Sequence, residues 1–364
     1  KVMMPYFEDK FGNPGGIYKS GRCAKEAVEN ARSTISQVLN CKFDELIFTG
    51  SGTESDNLAL KGILGSPQRI TGRLITTRLE HSAVIKTAEW LEQRGTTIDF
   101  VQIDPQTGQV DLNHLEELVQ PETRLVSIQH VNSETGIIQD LCAISKTVKK
   151  KNPQTFIHSD GVQAFSKFSI DLQLLGVDFY SISGHKFHGI KGAGALIMNR
   201  KTPLEAIIHG GGQEFDLRSG TENVAAIAGM GKAAELACST IKENYHRVAA
   251  FSDEIKNYLS HHFEDMRFVD APSALPHIIS LSIPGVPGEV LLNHLAEKEI
   301  YVATGSACNA GSKNLSPVLR TMDFSAQRIR ETIRISLAAS EIPDDYKKFL
   351  NRFCDVVESL IQIV

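Results

Sequence analysis

The chain has 364 residues, 41% hydrophobic and 22% charged, a mix that excludes a disordered or fibrous protein and at this length predicts two domains. Its formal net charge is −5 and no long basic run is present, so it lacks the electrostatic footprint of a nucleic-acid binder. No apolar stretch is long enough to span a bilayer and no signal-peptide pattern opens the chain. The expectation is a cytoplasmic protein, or one of an organelle matrix, with no membrane partner.

From residue 45 to residue 198, short β-branched runs alternate with amphipathic stretches. Residues 46–49 read as a strand, followed by a Gly/Ser turn and a helix over 54–64. Strands at 73–77, 98–103, 125–128, 156–158, 177–182 and 194–198 are separated by helices at 83–94, 112–119 and 144–150. This cadence predicts an α/β fold with a mostly parallel central sheet flanked by helices. A helical stretch over 223–237 continues to 262, and then prolines at 272, 276, 284 and 287 mark a change of pattern. Strand 278–283, helix 289–298, strands 300–303 and 333–337 and a last helix over 344–363 form a small C-terminal α/β domain. The boundary falls between Cys238 and Asp270, giving a large domain over 1–245 and a small one over 246–364.

In such sheets ligands bind beyond the carboxyl ends of the strands. Thr49-Gly50-Ser51-Gly52-Thr53-Glu54 joins a strand to a helix, and its small residues suit an anion at the helix N-terminus, with Gly52 and Thr53 as donors. The same residues also read as a plain capping box, Ser51 with Glu54. His81, Asn132, Asp160 with Gln163, and Ser183-Gly-His-Lys186 then follow successive strands. One such residue is usually structural; four groups along one sheet edge match the parts that pyridoxal 5′-phosphate (PLP) requires. Lys186 supplies the amine to which the cofactor attaches, Asp160 a carboxylate for the ring nitrogen, His81 a flat group against the ring, and Gln163 or Asn132 a donor to the phenolate oxygen.

Ser183-Gly-His-Lys186, Gly52-Thr-Glu-Ser-Asp-Asn57, His130-Val-Asn132, Asp160-Gly-Val-Gln163, Gly210-Gly-Gly-Gln-Glu214 and Arg218-Ser-Gly-Thr221 together resemble the class V aminotransferases, and within them the cysteine desulfurases. The resemblance covers nearly the whole chain. It implies the type I PLP fold and a homodimer, with the phosphate held by Gly52, Thr53, Ser183 and His185 and by Thr221 from the neighbouring subunit. Against the family, the sequence begins at what would be the helix after a short N-terminal strand, and Ile190 stands where proline is usual.

None of the six cysteines forms a C-x-x-C pair, so no metal site or redox dithiol is expected, and five read as reduced core thiols. Cys308 differs, lying in the Gly/Ser/Ala-rich run 304–312 that has the composition of an accessible loop. Gly-Ser-Ala-Cys308 resembles the desulfurase nucleophile motif, in the subgroup with a long loop that passes sulfur to an iron–sulfur scaffold protein. Arg334, in an apolar strand, suits the α-carboxylate of L-cysteine, with Asn132 beside it. The resemblance thus implies removal of sulfur from L-cysteine, with Lys186 as base, His81 as acid/base and a persulfide on Cys308 for an acceptor protein. A selenocysteine lyase, another class V lyase or aminotransferase, and a catalytically silent scaffold are the competing readings.

Overall fold

The computed structural model describes residues 1–66, 71–305, 315–342 and 346–362. The chain forms two compact units: residues 1–102, 111–130 and 140–241 in the first, and residues 103–110, 131–139 and 242–364 in the second.

The first unit is built on seven strands, β1 (Leu46–Thr49), β2 (Arg73–Thr76), β3 (Thr97–Phe100), β4 (Thr123–Ser127), β5 (Phe156–Asp160), β6 (Phe179–Ser183) and β7 (Gly194–Met198). Their order is β1-β7-β6-β5-β4-β2-β3, and β7 alone runs antiparallel to its neighbours. Around the sheet lie α1 (Pro5–Glu8), α2 (Lys19–Leu39), α3 (Gly52–Leu64), α4 (Ser82–Glu92), α5 (Leu112–Leu118), α6 (Leu141–Lys151), α7 (Leu172–Leu175) and α8 (Val224–Ser239). The α/β expectation with a mostly parallel sheet is met. All residues of β1, β6 and β7 are buried, as a sheet covered on both faces requires. Ile47, Leu58, Ile63, Leu74, Val84, Leu125, Phe179 and Leu196 fill the space between the sheet, α3 and α4.

Two elements depart from the sequence reading. The 21-residue α2, outside the strand–helix pattern, buries Ala24, Ala27, Val28, Ala31 and Ile35 at helical spacing. A Cβ on Gly231 of α8 would stand 2.6 Å from Cβ of Ala31, so small residues set how closely these helices approach. The third strand stops at Phe100, and Ile103 makes only an isolated bridge to Val110, because residues 103–110 belong to the second unit.

The second unit holds a three-stranded antiparallel sheet in the order β10-β9-β8, with β8 (Arg267–Phe268), β9 (Ile278–Ser282) and β10 (Thr332–Ser336). Helices α9 (Ile241–His262), α10 (Gly288–Glu297), α11 (Pro317–Thr321), α12 (Ala326–Arg330) and α13 (Tyr346–Ile361) complete it. Its core gathers Ile255, Leu259, Leu281, Leu291, Ile333 and Phe353. The strand expected at 300–303 is reduced to one bridge, Ala303 to Arg334. Among the described residues no single helix is long and apolar enough to cross a membrane.

Candidate active site

The turn after β1 is held by side chains. Ser51 Oγ caps α3 by accepting the Glu54 N–H at 3.2 Å, and the Glu54 carboxylate accepts the Gly50 N–H at 2.8 Å. The capping pair is therefore real, with the return bond made to Gly50. Arg218 Nε donates to Glu54 Oε1 at 2.8 Å and fixes that carboxylate from the other side. Helix geometry leaves the N–H groups of Gly52 and Thr53 without intrahelical acceptors, which suits the α3 terminus to an anion. Gly52 is buried, and a Cβ there would lie 2.6 Å from Val162 Cγ2 and 3.4 Å from Ser183 Cβ. Glycine thus lets the α3 terminus close onto the end of β6.

From Ser183 the chain enters a tight 3-10 turn, Gly184–Phe187, that carries His185 and Lys186. The Gly189 N–H donates to the Gly184 carbonyl at 2.9 Å, and His188 takes the left-handed conformation (φ 65°) to close the turn. Ser183 Oγ and His185 Nδ1 are 3.1 Å apart. Lys186 is half-buried. Burial, and then the charge of Lys186, hold the amine of Lys167 below the usual lysine range. Burial, and then Lys186 and Lys191, likewise hold down the imidazole of His185.

Acids gather under the neighbouring strand ends. Asp160, the last residue of β5, is buried and accepts the Val162 N–H at 2.9 Å through Oδ1. Asp56 stands one turn past Gly52 on α3 and is 1% exposed. His81 caps α4, its Nδ1 accepting the Ala83 N–H at 3.2 Å, so the neutral ring carries its proton on Nε2. A side-chain nitrogen or oxygen from each of Asp56, His81 and Asp160 lies within 4.8 Å of the others. Burial, and then the Asp56 charge, push the Asp160 carboxyl up to about 7. Burial pushes Asp56 up to about 7 against a hydrogen bond from Ser181, and Glu80 up to about 8. Gln163, half-buried, sits in the turn that follows β5. That turn runs so close to Tyr180 that a Cβ on Gly161 would stand 2.0 Å from its ring.

A helix terminus for an anion beside a buried acid pair for a cation, with a lysine on the adjoining turn, fits PLP, which carries a phosphate at one end and a basic ring nitrogen at the other. Asp56, Glu80 and His158 carry no role in the sequence reading. His158 was detectable, since it precedes Asp160 by two and shares its face of the strand. The burial of Asp56 on α3 was not.

In the second unit, Arg334 on β10 donates from Nη1 to the Ser133 carbonyl at 2.8 Å. Asn132 Oδ1 accepts the N–H groups of Glu134 and Thr135, each at 2.8 Å, and the Thr135 hydroxyl at 3.0 Å. The oxygen of Asn132 therefore holds its own turn, and Nδ2 is the end that donates. Arg334 and the Asn132 turn, far apart in sequence, are brought together. Cys308 lies outside the described residues. On either side of it in the chain, Ala303 pairs with Arg334 on β10, and Ser316 Oγ donates to Glu134 Oε2 at 2.6 Å. Of the other cysteines, burial pushes the thiols of Cys41, Cys238 and Cys354 up to about 11, unlike a nucleophile. Thr221 is exposed in the first unit, after a turn in which the Gly220 N–H donates to Gln213 Oε1 at 2.8 Å.

Residues 1–349 match the aminotransferase class-V family. The chain belongs to that family. Within it the chain falls among the cysteine desulfurases. It is 36% identical over 364 residues to the cysteine desulfurase IscS of Dictyoglomus turgidum, covering 100% of this chain and 90% of that protein. Among solved structures, a NifS-like protein superposes with a TM-score of 0.92 at 34% identity, over 98% of this chain and 94% of that one. A structure described as SspA in complex with cysteine gives 0.82 at 31% identity, over 93% and 94%. Class-V aminotransferases and cysteine desulfurases are PLP-dependent families.

Proposed function

We propose that this chain takes sulfur from L-cysteine with PLP, releasing L-alanine and holding the sulfur as a persulfide on Cys308 for an iron–sulfur scaffold or other acceptor protein. The observation that carries the reading is the approach of Gly52 to Ser183, which sets an anion-binding helix terminus against the turn bearing Lys186, in a chain alike along its length to cysteine desulfurases. The cofactor supplies an electron sink for the carbanion formed at the substrate's Cα.

The residues divide the remaining work. Gly52 and Thr53 backbone N–H groups, Ser183 and His185 hold the phosphate, with Thr221 reaching in from a second copy. The apolar side chains of Phe7, Phe11, Ile17 and Tyr18 are each more than 60% exposed, apolar area of the kind that a second copy would cover. Asp160 holds the ring nitrogen in its protonated form, His81 lies against the ring, and Gln163 donates to the phenolate oxygen. Arg334 and Asn132 Nδ2 orient the substrate carboxylate. Lys186, which anchors the cofactor, takes the proton from Cα once displaced. Cys308 thiolate attacks the substrate sulfur; the Cβ–S bond breaks, an S–S bond forms, and a proton is delivered to Cβ, with His81 Nε2 as donor. In this reading the large domain (1–245) binds the cofactor and the small one (246–364) brings Cys308 and Arg334.

The test is incubation of PLP-loaded protein with L-cysteine, following alanine and sulfide together. Cys308→Ser should keep the visible absorbance of the bound cofactor and reduce sulfide by at least about 100-fold, as removal of a covalent nucleophile does. Undiminished sulfide would instead assign the chain to the lyases that need no such thiol.

A further inference from the structure

Asp56 has no task in the scheme above, yet it is the more buried of the two acids at the ring-nitrogen site. Its Oδ1 is enclosed without a hydrogen-bond partner. The groups that face the pair from each packed element include two histidines, whose charge draws the Asp160 carboxyl down by less than burial and Asp56 raise it. On β5, His158 Nε2 is 3.4 Å from Asp56 Oδ1, but the ring is engaged by Ser127 at 2.8 Å and Ser181 at 3.1 Å, and burial pulls it down to about 4. Before α4, Glu80 adds a third acid, and His81 accepts a backbone N–H through Nδ1. On β6, Tyr180 is a neutral phenol 2.8 Å from His130, which burial also pulls down to about 4. Two carboxylates this close in a buried site repel too strongly for both to ionise without a cation.

The two acids are not equivalent. The Val162 N–H donates to Asp160 and favours its anion, whereas Asp56 meets the hydroxyl of Ser181 and an enclosed, unsatisfied oxygen. We infer that Asp56 and Asp160 share one proton, that it rests on Asp56, and that Asp56 is thereby a positioning residue that leaves Asp160 as the single carboxylate offered to the ring nitrogen. This deepens the proposed function and rests on Asp160 being that nitrogen's partner.

The test uses wild type, Asp56→Asn and Asp160→Asn. Unfolding of the cofactor-free proteins is followed by urea titration between pH 4.5 and 8, and PLP uptake by visible absorbance across the same range. Asn is close in shape to a protonated Asp. A buried acid held protonated above its ordinary range makes the folding constant fall by up to about tenfold per pH unit. The wild type should therefore fall more steeply than Asp56→Asn, with the histidines common to both cancelling in the comparison. Asp160→Asn should keep a falling slope that ends at lower pH, since burial still holds the proton on Asp56 but the like charge is gone, and it keeps the test alive if Asp56→Asn does not fold. Asp56→Asn should take up PLP within about threefold of wild type, with the acid limb of uptake moved to lower pH by about a unit. Equal slopes in all three proteins, with PLP uptake by wild type intact, would overturn the inference alone. A wild type that takes up no PLP would overturn the functional reading and with it the role assigned to Asp56, while the slopes would still decide whether the proton is shared.

Discussion

Gly52 shows how one residue can carry both an element's boundary and its chemistry. Alanine is the better helix former, so Gly52→Ala should by propensity favour α3. The added Cβ would instead stand 2.6 Å from Val162 Cγ2 and push the helix terminus off the end of β6. We expect Gly52→Ala to remain folded and to bind PLP at least about tenfold more weakly, about 1.4 kcal/mol, measured by titration of the visible absorbance. The glycine was readable as an anion-loop residue; its packing partners, 110 and 131 residues away, were not. Asn132 teaches the converse. Its place after a strand is plain in the sequence, but only the turn geometry shows that Oδ1 is committed to the N–H groups of Glu134 and Thr135 and to the Thr135 hydroxyl.

Among the elements, the segment between Gly210 and Thr221 carries an unusual backbone. Glu214, Phe215 and Asp216 all have positive φ (47°, 59° and 66°), a run that non-glycine residues rarely adopt and that must be held from outside. The clamp is Arg32 of α2, whose guanidinium pairs with both Glu214 oxygens at 2.9 and 2.7 Å and also donates to the Leu46 carbonyl. Glu214 accepts the Phe48 N–H at 2.7 Å as well, and both side chains of the pair are at most 5% exposed. Removing one partner leaves a buried charge uncompensated. Arg32→Ala should therefore lower stability by about 3–5 kcal/mol in urea unfolding. Because the segment leads to Thr221, PLP affinity should fall in the same variant. The motif Gly210-Gly-Gly-Gln-Glu214 was visible as a family signature. Its physical reason was hidden, because Arg32 lies in a helix that the strand–helix pattern does not mark.

Over the whole molecule, the buried titratable cluster predicts a pH signature. The Asp56–Asp160 pair, raised to about 7 and sharing one proton, and Glu80, raised to about 8, keep protons in the folded state that the unfolded chain has lost. Their stabilisation is complete below about pH 4 and is lost as pH rises through 7 to 8. His130 and His158, lowered to about 4, act in the opposite sense, losing stability as pH falls from about 6.5 to 4. The two trends oppose each other below pH 6.5, and above it only the acids act. Cofactor-free protein should accordingly lose thermal stability between pH 6.5 and 8. PLP-loaded protein should lose clearly less, because a ring cation held by the acid pair would favour its fully ionised form; differential scanning calorimetry of the two forms would measure it.

The sequence by itself determined the α/β class, most strands of the larger sheet and the residue types at their ends, because period-2 and period-3.6 burial and strand-end chemistry are written locally. It also determined the family, through motifs spread along the chain and matched over residues 1–349. Only the tertiary structure decided that residues 103–110 and 131–139 pack with the second unit, so that Asn132 keeps company with Arg334. It alone set a second acid, Asp56, within 4.8 Å of Asp160. Those facts depend on which distant side chains share a buried volume, and a carboxyl on a helix carries no local sign of whether water or another carboxyl will be its neighbour.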